Sequence, residues 1–169
     1  MVEKHIAYIS VGSNIGNKLE NCQKGVAALI SSGSIEILKH SQIYKTDPVD
    51  YTDQDWFINY VVKIQIVLDP FKLLSTLNAI QRRVGRIVDK IRFGPRVLDM
   101  DIILYDDLVI HSAKLIIPHP RMHKRRFVLK SICDIDPTII HPILKKSMQF
   151  LLDQLDDNTQ RVLEYSCDF

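Results

Sequence analysis

The chain has 169 residues, a formal net charge of +2, 46% hydrophobic and 25% charged residues, 6 glycines and 7 prolines. That length predicts one domain over 1–169, with a core large enough to fold without a disulfide or a metal. The composition excludes disordered, collagenous and low-complexity chains, and the small charge excess does not by itself indicate a nucleic-acid binder. Cys22, Cys133 and Cys167 lie far apart with no CxxC pair, which argues against a zinc ribbon or a secreted disulfide scaffold and for three reduced thiols. The opening MVEKHIAYISVGSN is too short and too broken an apolar run for a signal peptide. No stretch approaches the ~18 consecutive apolar residues of a membrane span. The expectation is a cytoplasmic protein.

His5 to Val11 is apolar and β-rich and reads as a buried strand that breaks at Gly12-Ser13-Asn14. Leu19, Cys22, Val26, Leu29 and Ile30 recur at helical spacing, predicting a helix from Lys18 to Ser31 that Gly33 ends. Ile35 to Thr46 reads as one second strand, Asp47 to Asp55 as an acidic loop, and Phe57 to Leu68 as a third strand antiparallel to the second. Asp69-Pro70 is a helix start, and Leu73, Leu74, Leu77, Ile80 and Val84 mark one face before Gly85 stops it. Arg86 to Pro95 is basic and without period, and Val97 to Tyr105 returns to a strand. From Pro118 onward, prolines mix with short helical stretches, with Leu144 to Leu155 the best helix candidate. The order β-α-β-β-α-β with a C-terminal helical extension predicts an α+β, ferredoxin-like fold: an antiparallel sheet with its helices on one face. That plan hosts many functions and selects none.

The sharpest local feature is Gly94-Pro95-Arg96-Val97-Leu98-Asp99-Met100-Asp101. In a strand, residues i and i+2 share a face, which puts the Cα atoms of Asp99 and Asp101 ~6–7 Å apart with both carboxylates on one side. Leu98, Ile102 and Leu104 assign the opposite face to the core. Two carboxylates left together repel, and a divalent cation removes that penalty. Mg²⁺ suits them, since it takes one or two carboxylates together with substrate phosphates. Two basic clusters flank the pair: Arg82, Arg83, Arg86, Lys90, Arg92 and Arg96, then Arg121, Lys124, Arg125 and Arg126. Carboxylates among guanidinium groups are what phosphoryl transfer uses. A charge run is more often a solvated face, and Arg83 is read that way. Gly12-Ser13-Asn14-Ile15-Gly16 lacks the spacing and the Gly-Lys-Ser/Thr of a P-loop. His119 and His123 read either as zinc ligands four apart or, for His119, as a phosphate contact.

These residues together resemble the 6-hydroxymethyl-7,8-dihydropterin pyrophosphokinases over roughly Ile6 to Pro142. The resemblance rests on Gly94-Pro95-Arg96-x-Leu98-Asp99-x-Asp101-Ile102 and Pro118-His119-Pro120-x-Met122-x-x-Arg125-x-Phe127. It rests also on Ala7-Tyr8-Ile9-x-Val11-Gly12-Ser13-Asn14, Tyr44-x-Thr46-x-Pro48 and Gln54-x-x-Phe57-x-Asn59. It implies transfer of a diphosphate from ATP to the hydroxymethyl group of the pterin, with release of AMP, in folate biosynthesis. It implies two Mg²⁺ ions on Asp99 and Asp101, and Arg86 and Arg96 stabilising the transferring group. By the same resemblance His119, Arg125, Lys114 and Ile102 contact ATP. The pterin ring lies between Phe57 and Phe127, and Asn59 and the backbone near Thr46 and Val49 read its edge. The loops Asp47 to Asp55 and Arg86 to Pro95 then close over the substrates. Gln81, Asp50, Val88 and Phe93 depart from the family pattern, Gln81 standing where Glu is usual.

The leading expectation is therefore an ATP- and Mg²⁺-dependent pyrophosphokinase, monomeric, without nucleic-acid or membrane partners. Two alternatives stay open on the sequence: an RNA-binding ferredoxin-like module, and a metal-dependent phosphohydrolase using His119 and His123.

Overall fold

Alternation along the two longest strands sets the architecture. In β1 (His5–Ser13), Ala7, Ile9 and Val11 face one core and Tyr8 the other. In β4 (Phe57–Ile66), Tyr60, Val62, Ile64 and Ile66 share the first core and Val61 joins Tyr8. The computed structural model describes residues 1–85, 91–156 and 160–166. Arg86, Val88, Lys90 and Cys167 lie outside them.

The sheet is antiparallel throughout. β5 (Asp99–Tyr105) pairs with β1, β1 with β4, and β4 with both β2 (Ile35–His40) and β3 (Tyr44–Thr46). This is the βαββαβ order expected, but the single strand read from Ile35 to Thr46 is split in two. The reason is local: the Ser41 hydroxyl accepts the Val61 N–H, which a continuous strand would have bonded to main chain. The first core is closed by α1 (Lys18–Ile30) and α2 (Pro70–Val84), which pack Cys22, Leu29, Leu73, Leu77 and Ile80 against the sheet. α2 begins and ends as its residues dictate. Asp69 accepts from the N–H groups of Phe71 and Lys72, Pro70 opens the first turn, and Gly85 closes the last at φ 119°.

Helices also cover the second face, which corrects the one-face expectation. α3 (Arg126–Ile135) packs Val128, Leu129, Ile132 and Ile135 onto Tyr8, Val61 and Leu104. Its C-terminal end is tied to the sheet by the Tyr8 hydroxyl and Lys63 on Asp136, both at 2.6 Å, and by the Tyr44 hydroxyl on Asp134. Leu104 sits on this side because of a bulge: Ile9 pairs with Ile102 and Tyr8 with Leu104, leaving Ile103 unmatched and the alternation reset. α4 (Met148–Gln154) is shorter than the Leu144–Leu155 expectation, since Ser147 caps it by accepting from Phe150 N–H and Lys145 lies at φ 56°. β6 (Ile110–His111) and β7 (Ile116–Ile117) form a small hairpin. β8 (Val162–Glu164), which the sequence reading did not anticipate, pairs with β3 at the sheet edge. Among the described residues no helix is long and apolar enough to cross a membrane.

Candidate active site

The α3 layer covers only part of the second face. Beyond it, the same-face positions of the central strands open into a cavity of about 420 Å³. Asp99 and Asp101 come from β5, Phe57 and Asn59 from β4, and Thr46 from β3. The register explains the grouping: Gly12 pairs with Asn59 on one side and Asp99 on the other, and Thr46 pairs with Phe57.

Asp99 and Asp101 are partly exposed, while Met100 between them is buried in the first core. Arg96 donates to Asp99 Oδ1 at 2.7 Å. The Met100 peptide is held from behind by α2: Met100 N–H donates to Gln81 Oε1 at 3.2 Å, and Gln81 Nε2 donates to the Met100 carbonyl at 3.4 Å. β5 is the end strand of its sheet, so the Gln81 amide supplies the donor and acceptor that a further strand would have provided. An amide can do both; an ionised glutamate can only accept. Gln81 is 1% exposed, so Gln81→Leu leaves two backbone groups buried without partners. We expect a loss of about 2–4 kcal/mol in urea unfolding; a wild-type midpoint would show the clamp to be dispensable.

Cations crowd the same end: Arg96, Arg121, Lys124 and Arg125 line the cavity with His119. His119 N–H donates to the Ile103 carbonyl, and its Nδ1 accepts the Arg121 N–H at 3.2 Å. Nδ1 is therefore the unprotonated nitrogen, leaving Nε2 to carry the hydrogen. Burial, then Arg125 and Arg121, depress the His119 pKa to about 4 against a smaller opposing pull from Asp99. At neutral pH the ring is an uncharged donor. Burial and Arg121 also lower the Arg125 pKa, opposed by Asp101, Asp99 and Asp50.

The other end is partly apolar, and its carboxylate, Asp47, is paired with Arg161. Phe57, Phe127, Val49 and Pro48 line it with Thr46, Asn59 and Gln160. Asn59 Nδ2 donates to Thr46 Oγ1 at 2.7 Å, so its Oδ1 is turned over Gly12, where any Cβ would meet it at 2.3 Å. The mouth is organised by two amides. Asn14 Oδ1 accepts Arg96 N–H at 2.7 Å, while its Nδ2 donates to Gln54 Oε1 and to the Asp55 carbonyl. Gln54 Nε2 donates to the carbonyls of Tyr51 and Phe93. The 47–55 loop is thereby tied to the segment around Phe93, whose φ of 59° is unusual for an aromatic residue. Arg121 spans the same gap, reaching Asp50 at 3.3 Å and lying over the Phe93 ring at 4.5 Å.

Of the residues singled out by sequence, Thr46, Val49, Phe57, Asn59, Arg96, Asp99, Asp101, His119, Arg125 and Phe127 converge on this cavity. Lys114 and Ile102 do not line it: Lys114 is exposed on the turn between β6 and β7, and the Ile102 side chain is in the first core. Arg86 lies outside the described residues. His123 does not join His119; its ring stands edge-on to His141 at 6.0 Å. Among the described residues no three potential ligands gather around one point for a metal. Sequence reasoning missed Gln54, Phe93, Arg121, Lys124 and Gln160 as cavity residues. Arg121 and Lys124 were visible as part of a basic cluster and Gln54 as a motif residue, whereas nothing in the sequence pointed to Gln160.

The profile of the 7,8-dihydro-6-hydroxymethylpterin-pyrophosphokinase (HPPK) family matches residues 8–137. The chain belongs to that family. It is 43% identical over 131 residues to the 2-amino-4-hydroxy-6-hydroxymethyldihydropteridine pyrophosphokinase of Bacillus subtilis, covering 78% of each. It is 40% identical over 150 residues to the folic acid synthesis protein fol1 of Schizosaccharomyces pombe, covering 89% of this chain but only 20% of that protein. A similar protein of Pneumocystis carinii is 37% identical over 159 residues, 21% of its length, so the chain spans about a fifth of these longer relatives. In fold it resembles Plasmodium falciparum HPPK-DHPS with pteroate, with a TM-score of 0.71 at 14% identity over 89% of this chain and 42% of that one. The HPPK match ends before α4 and β8; β8 completes the sheet edge, and Gln160 just before it lines the cavity.

Proposed function

We propose that this HPPK-family chain transfers a diphosphate from ATP to the hydroxymethyl group of 6-hydroxymethyl-7,8-dihydropterin, releasing AMP, as a step of folate biosynthesis. The observation that carries the reading is the division of one cavity into two chemistries. One end has two phenylalanines and two anchored amides, with the Asp47 carboxylate paired to Arg161; the other end sets two carboxylates among cations.

Phe57 and Phe127 present the aromatic surface that a flat heterocycle gains from. Asn59, with its nitrogen committed to Thr46, offers an oxygen to the heterocycle's N–H groups, and the backbone near Thr46 and Val49 reads the rest of the edge. Asp99 and Asp101 are an all-oxygen donor pair on one face of a rigid strand, which fits Mg²⁺, and we assign both to two such ions. Held by Asp99 and Asp101, the metal would supply positive charge against that developing on the transferring group. The Arg96 and Arg125 guanidinium groups and the neutral His119 Nε2–H contact the phosphates without taking up a proton. We place Arg86 with them on the resemblance alone. In the reaction the pterin hydroxyl oxygen forms a bond to the β-phosphorus, the bond from that phosphorus to the α,β-bridging oxygen breaks, AMP leaves, and the hydroxyl proton is released. Positioning carries most of this chemistry. Gln54 and Asn14 contribute by holding the two mouth segments together, which limits water at the transferring group.

The carboxylate pair weighs against an RNA-binding module, since it would repel a phosphate backbone, and the separation of His119 from His123 weighs against a hydrolase built on both. We place the protein in the cytoplasm as a monomer. The deciding experiment is product analysis with Mg-ATP and the pterin. AMP formed one-for-one with a pyrophosphorylated pterin is the expected result; ADP and phosphate with the pterin untouched would overturn it.

A further inference from the structure

The C-terminal segment, beyond the reach of the family match, returns to the partly apolar end of the cavity. β8 lies antiparallel to β3, with Thr46 opposite Val162 and Tyr44 opposite Glu164. Just before it, Asp47 N–H donates to the Arg161 carbonyl at 3.2 Å, and Gln160 Nε2 donates to the Asp47 carbonyl at 2.8 Å. Gln160 is 8% exposed and lines the cavity beside Thr46 and Asn59.

These bonds fix which way the amide points. A carbonyl can only accept, so the atom against Asp47 is the nitrogen, and the Gln160 oxygen has no protein partner among the described residues. Asn59 is arranged the same way, its nitrogen on Thr46 and its oxygen turned inward. Two amides from distant parts of the chain thus present acceptors at one end of one cavity, each anchored through its nitrogen. Neither oxygen is among the buried unpaired atoms of the described residues, so both are open to the cavity, where a bound molecule that supplies an N–H can take the place of water.

We propose that Gln160 is a substrate-contacting residue: its side-chain oxygen accepts an N–H from the rim of the bound heterocycle, so that the C-terminal segment forms part of the specificity wall. The inference rests on the pterin reading of the cavity. The neighbouring Asp47–Arg161 ion pair, at 2.8 Å but with Arg161 largely in solvent, is not assigned this role, because exposed pairs contribute little.

The test is direct binding without turnover. 6-Hydroxymethylpterin is titrated by its own fluorescence, and a non-hydrolysable ATP analogue with Mg²⁺ by calorimetry, on the wild-type chain, Gln160→Leu and Arg161→Ala. Gln160→Leu is expected to weaken pterin binding about tenfold and leave the ATP analogue within about twofold. Arg161→Ala is expected to leave both within about twofold. If Gln160→Leu does not fold, Gln160→Ser, which also removes the reach of the amide, is expected to give the same selective loss. Pterin affinity unchanged in the Gln160 variants, or lost in equal measure with that for the ATP analogue, overturns this inference alone. No pterin binding by the wild-type chain overturns the reading of the cavity and this inference with it.

Discussion

Replacing Asp99 or Asp101 by asparagine is expected to lower turnover by about a thousandfold or more and to leave the fold intact. The two halves of that expectation have separate causes. Both side chains point into the cavity, and the strand that carries them is held by other atoms: β1 pairs along one edge and Gln81 grips the Met100 peptide on the other. Asparagine keeps the volume, and among the described residues the ion pair of Asp99, to Arg96, joins two partly exposed groups, so its loss costs about 1 kcal/mol or less. Catalysis is another matter. An amide cannot neutralise the divalent charge that a triphosphate brings, and removing one electrostatic partner of a transferring group costs about 10²–10³ in rate even where no metal is involved. Steady-state rates together with thermal melts check this. A variant with the wild-type rate would refute the metal assignment, and one that failed to fold would show that the carboxylates are not merely guests on the strand.

Residues whose meaning is local were legible in the sequence. Asp69, Pro70 and Gly85 bound α2 because capping depends on a few adjacent atoms. The i, i+2 spacing of Asp99 and Asp101 put both on one face because strand alternation holds there without interruption. What depends on distant partners was not legible. The second strand splits because one serine hydroxyl takes an N–H from β4, a choice that hydropathy does not record. Leu104 changes face because of a bulge set by the β1 register. α3 begins in a cluster of arginines that reads as surface, yet Val128, Leu129 and Ile132 bury against a face the pattern had left open. The site divides in the same way. The carboxylates, His119 and the two phenylalanines carry chemistry in their type, whereas Gln160 acquires its place from β8 folding back on β3. Gly12 is the extreme case, since its importance lies in what it lacks.

Gly12→Ala is expected to weaken pterin binding by roughly thirtyfold while sparing the ATP analogue. Gly12 sits between Asp99 and Asn59 in the sheet. Nothing about its backbone calls for glycine; the requirement is space. A Cβ would lie 2.3 Å from Asn59 Oδ1, far inside contact distance, and 3.3 Å from the Ile58 carbonyl. The strand backbone is held on both edges, so the Asn59 side chain must move. Moving it breaks the 2.7 Å bond to Thr46 Oγ1 and takes away the acceptor offered to the heterocycle. Overpacking of this kind costs about 1–3 kcal/mol of stability, and the lost, partly buried hydrogen bonds account for the binding defect. A double-mutant cycle separates the two effects. If the methyl acts through Asn59, adding Gly12→Ala to Asn59→Ala should change pterin affinity by no more than about twofold, because the group it displaces is already gone. Losses that add would mean that the methyl acts elsewhere, and Asn59 would no longer be the residue through which Gly12 shapes the site.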